Sequence, residues 1–189
     1  MKPLLSLTVS AALAALSTAA FAQSKGDILL SLGAHAVLPT DSFSTSTAGQ
    51  VRVGDDHRPS FTTEYFVADR IGIELLAALP FEHDVQLQGV GDVIQTKHLP
   101  PTLSLQYHFV NSSSITPFVG VGVNYTTFFD EKGVGALAGT PVSLDDSWGC
   151  AFHAGVDFAV SQRGSVRADI RYIDIETDAT VGGAAIGKV

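Results

Sequence analysis

The sequence predicts an all-β fold, an antiparallel up-and-down β-barrel that crosses a membrane. Three observations carry this. Apolar and non-apolar residues alternate with a period of two over one segment after another between Asp27 and Ile175. Connections between these segments are by turns very short and very long. Beyond the first two dozen residues, no run approaches the roughly 20 apolar residues that a spanning helix requires, so any crossing is made by strands of about 9–11 residues.

Taken in order, Met1–Ala22 has one early lysine, Lys2, then an apolar, alanine-rich run ending in Ala20-Phe21-Ala22. This small-x-small pattern marks a secretory signal peptide rather than a membrane span. Residues Gln23–Val189 are then a single barrel domain. A period of two sends neighbouring side chains to opposite sides of a sheet, so each parity is one surface. One surface collects Ile28, Leu30, Leu32, Ala34, Ala36 and Leu38 on the first strand, then Phe61, Thr63, Tyr65 and Val67, then Ile71, Ile73, Leu75, Ala77 and Leu79. It continues through Leu103, Leu105, Tyr107 and Phe109, then Val119, Val121, Val123 and Tyr125, then Trp148, Cys150, Phe152, Ala154, Val156 and Phe158, then Val166, Ala168, Ile170 and Tyr172, without a charge. The opposite surface holds His35, Glu64, Glu74, Gln106, His108, Asn124, His153, Asp157, Arg167, Asp169 and Arg171.

Alternation alone leaves open which surface meets solvent, because a soluble lipocalin would put the apolar side inside. The connections and the aromatic residues decide it. Ala68–Arg70, Asn111–Ser114 and Ser161–Gly164 are tight turns, whereas Pro39–Pro59, Glu82–Leu99 and Phe129–Asp146 are read as long loops. Short turns at one rim and long loops at the other are the pattern of outer-membrane barrels, the short side being periplasmic and the long side extracellular. Tyr65, Tyr107, Phe109 and Phe158 fall near the short-turn rim; Phe61, Tyr125, Trp148 and Tyr172 fall near the other, as two interfacial girdles.

An open sheet edge in hydrocarbon leaves backbone groups unpaired, so the ring has to close. Seven strands are clear, and single-chain bacterial barrels have an even number, so eight are expected. The glycine-rich stretch Thr177–Val189 reads as a fourth long loop; either Ala184–Val189 is an unusually poor closing strand or the given sequence is incomplete at its C-terminus, and the second is the expectation.

Other chemistries find little support. The chain is acidic, 19 Asp and Glu against 11 Lys and Arg, with no basic patch for nucleic acid. The lone Cys150 lies mid-strand, so there is neither an internal disulfide nor a lipid-modified N-terminal cysteine. His153 and Asp157, with Ser147 or Ser104, suggest a hydrolase constellation, but four residues along a strand span roughly 13 Å, too far for a base and its orienting acid. No enzyme is expected. The histidines form no close ligand pair, although Asp55-Asp56-His57 and His83-Asp84 offer weak cation contacts at a rim. No metal or other cofactor is expected. Gly120-Val-Gly122 lies inside a strand, where its glycines serve close packing rather than phosphate binding.

Several runs resemble the OmpW family of outer-membrane proteins: Ile71-Gly-Ile-Glu-Leu-Leu-Ala-Ala-Leu-Pro-Phe81, Gly91-Asp92 leading to His98-Leu-Pro-Pro-Thr-Leu103, Thr116–Asp130, and Asp146-Ser-Trp-Gly149 followed by Gly155-Val-Asp157. The resemblance covers nearly all of Gln23–Val189. It implies an eight-stranded barrel in the outer membrane, inserted by the outer-membrane assembly machinery and passing small hydrophobic molecules. It also implies an eighth strand ending in an aromatic residue, which this sequence lacks. Leu76 matches a leucine that narrows the family's interior, and Arg171 stands where the family has an aromatic constriction. Parity adds Leu29, Phe66 and Phe118 to the inward lining, with Glu74, Asp169 and Asp157 as acids available to Arg171, either bracing the wall or lining a path. The expected function is passive passage of small hydrophobic solutes between the outside and the membrane or periplasm, with outer-membrane lipid around the wall. The alternative is a structural or receptor barrel with a closed lumen and functional loops.

Overall fold

The computed structural model describes residues 4–13, 23–39, 44–46, 49–161 and 164–188. In chain order, β1 (Leu4–Leu13) and β2 (Ile28–Pro39) belong to the wall, and β3 (Ser44–Ser46) and β4 (Gly49–Val53) to the first long connection. Strands β5 (Asp56–Ala68) and β6 (Ile71–Ala78) return to the wall, β7 (Phe81–Leu87) and β8 (Gly91–Leu99) form a hairpin above it, and β9 (Thr102–His108) and β10 (Ile115–Gly133) continue the ring. After β11 (Val142–Leu144) come the wall strands β12 (Ser147–Ser161) and β13 (Gly164–Ile173), then the short pair β14 (Asp178–Val181) and β15 (Ala184–Lys188).

Antiparallel pairing runs β1-β2-β5-β6-β9-β10-β12-β13 and back to β1, a closed ring of eight. The register matches like faces: Leu32 lies opposite Phe61, Leu75 opposite Leu103, Val121 opposite both Leu105 and Phe152, and Ala154 opposite Ile170. All seven strands read from the alternation are present. The apolar parity faces outward: Leu32, Leu105, Val121 and Ile170 are half or more exposed and Trp148 is 73 % exposed. Glu64, Glu74, Asp157, Asp169, Arg167 and Arg171 are buried inside. Apolar outside and charged inside is the arrangement of a transmembrane barrel. Ile115 to Tyr125, at ~3.3 Å per residue and ~40° of tilt, covers about 25 Å of membrane, the height of an outer-membrane apolar band. The aromatic girdles pair up on this surface, Tyr107 with Phe109 at 5.0 Å and Tyr125 with Trp148 at 4.8 Å between ring centroids.

Three segments depart from a simple picture of seven strands and loops. First, Leu4–Leu13, within the stretch read as a leader, pairs with β2 and β13, with Leu7 opposite Ala36 on β2 and Ile170 on β13. Leu5, Leu7 and Val9 alternate with Ser6, Thr8 and Ser10, so the same apolar run that reads as a leader also has the period of a strand. The cleavage pattern Ala20-Phe21-Ala22 lies outside the described residues. Second, Ala184–Lys188 is no wall strand; it pairs with β14, which pairs with β11, in a separate three-stranded sheet. Third, Glu82–Leu99, read as a loop, is the β7–β8 hairpin, turning through Gly89 and Gly91 at positive φ. Likewise β10 runs on beyond the girdle to Gly133 and leaves β12 to pair with β8. These extensions bury Val85, Val93 and Ile94 against Leu87, Leu137, Val142 and Val181, an apolar roof over the wide rim. The first long connection, Pro39–Pro59, lies partly outside the described residues.

Candidate functional site: a layered barrel interior

The interior is stacked in three layers. Nearest the short-turn rim, Leu29 and Phe66 pack together, and Phe66 and Phe118 flank His108 with ring centroids 5.1 and 5.4 Å away. These side chains are inward, as parity required.

Above them is a charge layer centred on Arg167. Its Nε and Nη2 donate to the two oxygens of Asp157 at 2.7 and 2.9 Å, a bidentate pair, while Nη1 donates to Glu74 at 2.9 Å and Nη2 to Glu64 at 3.2 Å. Its guanidinium carbon lies 4.2 Å from the centre of the Phe118 ring. Arg171 Nη2 donates to Glu74 at 2.7 Å and Asp169 at 3.4 Å. His108 Nε2 and Glu64 Oε1 are 2.7 Å apart. Register explains the need for arginine: Glu64 and Glu74 are direct cross-strand partners, and two buried carboxylates side by side require a cation between them. Glycines open the space. A Cβ on Gly72 would fall on the Glu64 carboxylate, one on Gly120 on the His153 imidazole, and one on Gly155 would lie 2.6 Å from Phe118 Cζ.

Above the charges lies a small cavity of about 10 Å³, room for one water. It is lined by Leu76 and Ile173, by Val37, Ala78, Pro100 and Ile175, and by His35, Phe81 and His98 from the wide-rim end. Leu76 is 3 % exposed. Pro100 is held by its carbonyl, which accepts from Asn124 Nδ2 at 3.0 Å and Thr102 Oγ1 at 3.2 Å, so the Pro100-Pro101 corner between β8 and β9 is fixed from inside. Phe81, His83 and His98 form a stack above the girdle, with His83 and His98 4.8 Å apart and nearly parallel. His83 Nδ1 meets the Gly54 carbonyl at 2.6 Å.

Burial holds the His98 imidazole far below its ordinary range, at about 3, and neighbouring His83 adds to this; burial lowers His83 too, partly offset by its bond to Gly54. The His98 ring stays neutral in the folded chain over the range in which an exposed imidazole takes a proton, below about pH 6.5. The unfolded chain then binds more protons, so the stability His98 contributes is lost as pH falls from about 6.5 toward 3, and His83 acts in the same direction. The expected result is a His98 ring-proton resonance that does not move between about pH 8 and pH 5; a midpoint near the free-imidazole value would contradict this burial.

The structure separates the residues that the sequence placed along one route. Leu76 lines the cavity; Glu74, Asp169 and Arg171 lie in the charge layer; Leu29, Phe66 and Phe118 lie beneath it. The sequence reading gave no role to Arg167, Glu64, His108, Phe81 or His98, although Arg167 shares the parity of Arg171 four residues away. Candidate catalytic pairs do not assemble: both Asp157 oxygens bond Arg167. Asp56 bonds Arg58 and the amides of His57 and Glu82, and among the described residues no three metal-type ligands converge.

The family model for OmpW matches residues 24–188. The chain belongs to the OmpW family. Its sequence is similar to Outer membrane protein W of Vibrio cholerae serotype O1, 40 % identical over 190 residues, covering 94 % of this chain and 88 % of that one. Among solved structures, this OmpW-family chain is similar to the outer-membrane protein OprG from Pseudomonas aeruginosa, with a TM-score of 0.67 and 29 % identity over 99 % of this chain and 86 % of that one. It is also similar to the solution structure of Outer Membrane Protein W from E. coli, with a TM-score of 0.54 and 32 % identity over 98 % and 91 % of the two chains. The OmpW-family barrel described here is therefore an outer-membrane protein.

Proposed function

We propose that this barrel gives small hydrophobic molecules a passive path into the outer membrane, with its short turns periplasmic and its long connections extracellular. The observation that carries the reading is the apolar cavity over Leu76 and Ile173, set directly above a filled charge layer. Solutes enter through the roof, where the long connections form a funnel, and Leu76 acts as the gate at its floor. The free energy comes from the solute gradient and from moving apolar surface out of water, so the path needs no cofactor and no catalytic step. Two guanidiniums and four carboxylates below the cavity bar an apolar molecule from the axial route, because displacing their bonds would leave buried charges uncompensated. Exit is therefore sideways, between wall strands and into lipid. Glu74, Asp169 and Arg171 brace the wall in this account, and Leu29, Phe66 and Phe118 support the layer from below. Insertion follows the general outer-membrane assembly route, and nucleic acid has no part in it.

A second reading, a structural or receptor barrel with a closed lumen, is favoured by the cavity's size: about one water's worth of space has to widen before any solute passes. One experiment separates the two. Full-length protein in liposomes is expected to speed equilibration of an uncharged apolar dye several-fold over protein-free vesicles, and Leu76→Trp, which fills the cavity, to remove most of the gain. Equal rates with and without protein establish the closed lumen.

A further inference from the structure

Three strands at the wide rim stand apart from the wall. β11, β14 and β15 pair with one another and, among the described residues, with no wall strand. Register and alternation make this small sheet one-sided: Val142 lies opposite Val181 and Leu144 opposite Ala179, so these four share a face, while Ser143 and Thr180 take the other. Leu144 and Ala179 are buried, and Val142 and Val181 pack against Val85, Val93 and Ile94 of the β7–β8 hairpin.

The attachments of this sheet to the wall lie together at one side of the mouth. Asp145 and Asp146 alone join β11 to β12, residues 174–177 join β13 to β14, and β12 and β13 are neighbours in the ring. Both linkers are bonded at their base: the Asp174 amide donates to the Cys150 carbonyl at 2.9 Å, the Glu176 amide to Ser147 Oγ at 3.0 Å and the Asp145 amide to the Asp178 carbonyl at 3.0 Å. Val142 and Val181 stand at the ends of β11 and β14 farthest from the linkers, and the hairpin they rest on rises from β6 and β9, across the ring from β12 and β13. The connection from β10 is bonded to the hairpin through Val134 and then turns through Gly135 and Gly139 at positive φ before reaching β11, which makes it a tether rather than a fixed edge. The sheet is thus anchored along one side and held at the other by apolar contact.

One linker reaches the cavity. Ile175 lines it together with Leu76, Pro100 and Ile173. Room for one water admits no solute until part of the lining moves. Of the lining residues, Pro100 and Ile175 stand outside paired strands, and Pro100 is held by Asn124 and Thr102. Ile175 is therefore the part of the lining that moves with the small sheet.

We propose that the β11–β14–β15 sheet is a lid on the cavity, hinged at its linkers to β12 and β13 and latched on the β7–β8 hairpin by Val142 and Val181, and that Ile175 is the residue with which the lid shuts the cavity. The inference rests on the passage reading above and adds to it the element that moves. A latch of two valine side chains is weak enough to leave a minor open population. Spin labels at Ser143→Cys on the lid and Val90→Cys at the tip of the hairpin, both exposed positions, report the lid by pulsed EPR on the full-length protein in nanodiscs, in a Cys150→Ala background that removes the native exposed thiol. The expected distribution has one main distance and a minor longer one. Val181→Ser on the lid and Val85→Ser on the hairpin each weaken the latch, and each is expected to raise both the longer population and the rate of dye equilibration in liposomes by about threefold to tenfold. Ile175→Ala is expected to raise the rate with the distance distribution unchanged, a split that general loosening of the fold does not give. Distances and rates indifferent to both serine variants overturn the lid, and a rate indifferent to Ile175→Ala overturns the role of that residue. If the parent passes no dye while the longer population still grows with Val181→Ser, the hinge stands and the passage reading fails; if dye passes at a rate that neither serine variant alters, the lid fails alone.

Discussion

Arg167→Met is expected to cost the folded barrel about 3–5 kcal/mol, the penalty for leaving buried charges without their counterion. Arg167 bonds carboxylates from three strands, Glu64 on β5, Glu74 on β6 and Asp157 on β12, and is itself 1 % exposed. Methionine fills a similar volume, so the loss is electrostatic rather than a cavity effect. Arg171 does not replace it, being committed to Glu74 and Asp169. The measurement is the folded fraction after refolding into lipid vesicles, read from the heat-dependent mobility of the barrel on gels and from urea titration. Neutralising all three acids as well, with Glu64→Gln, Glu74→Gln and Asp157→Asn in the Arg167→Met background, is expected to recover much of the loss, since none of the carboxylates that Arg167 held is then left as an unpaired ion. A single variant that folds as well as the parent would show that water reaches the layer and screens it.

Val121→Arg is expected to cost about 2–4 kcal/mol, the depth-dependent penalty for a cation on the lipid face near mid-membrane. Val121 is 50 % exposed on the outer surface of β10, between the girdles. The contrast is Val90→Arg: Val90 is similarly exposed, at 53 %, but sits in the turn between β7 and β8, above the aromatic belt, where a charge meets water. By exposure alone the two substitutions are equivalent, so the difference isolates the surrounding medium. Urea titrations in vesicles are expected to show Val90→Arg within about 0.5 kcal/mol of the parent. Equal losses at both positions would mean that the outer surface of the wall does not contact acyl chains.

The wall was legible because one face of every strand is free of charge, and a period of two is hard to imitate by chance over seven segments. Leu76, Glu74, Asp169 and Arg171 were found inside for the same reason. The chemistry of the interior was not legible to that depth. Parity says that Arg167 points inward, but only the register of β5 on β6 puts Glu64 opposite Glu74 and calls for a cation between them. Nor does parity give height, so Leu29, Phe66 and Phe118 looked like parts of one route with Leu76 when a charge layer divides them. The roof was missed because its strands mix Phe81, His83, Val85 and Leu87 with charged neighbours, a weaker alternation than that of the wall. Leu4–Leu13 carries two messages in one stretch, since an apolar leader that alternates leucine with serine and threonine also satisfies the period of a strand.

Glu64 and Glu74 come early in the chain, whereas Arg167 and Arg171 lie on β13, across the ring from them. The bonds joining these groups form only once the two ends of the sheet have met. A one-residue slip of β13 would turn both arginines into hydrocarbon and push Val166 and Ile170 among the acids. Closure and alignment are thus proofread together, in one all-or-none step, and a mispaired intermediate carries its error as uncompensated charge in a medium that tolerates none.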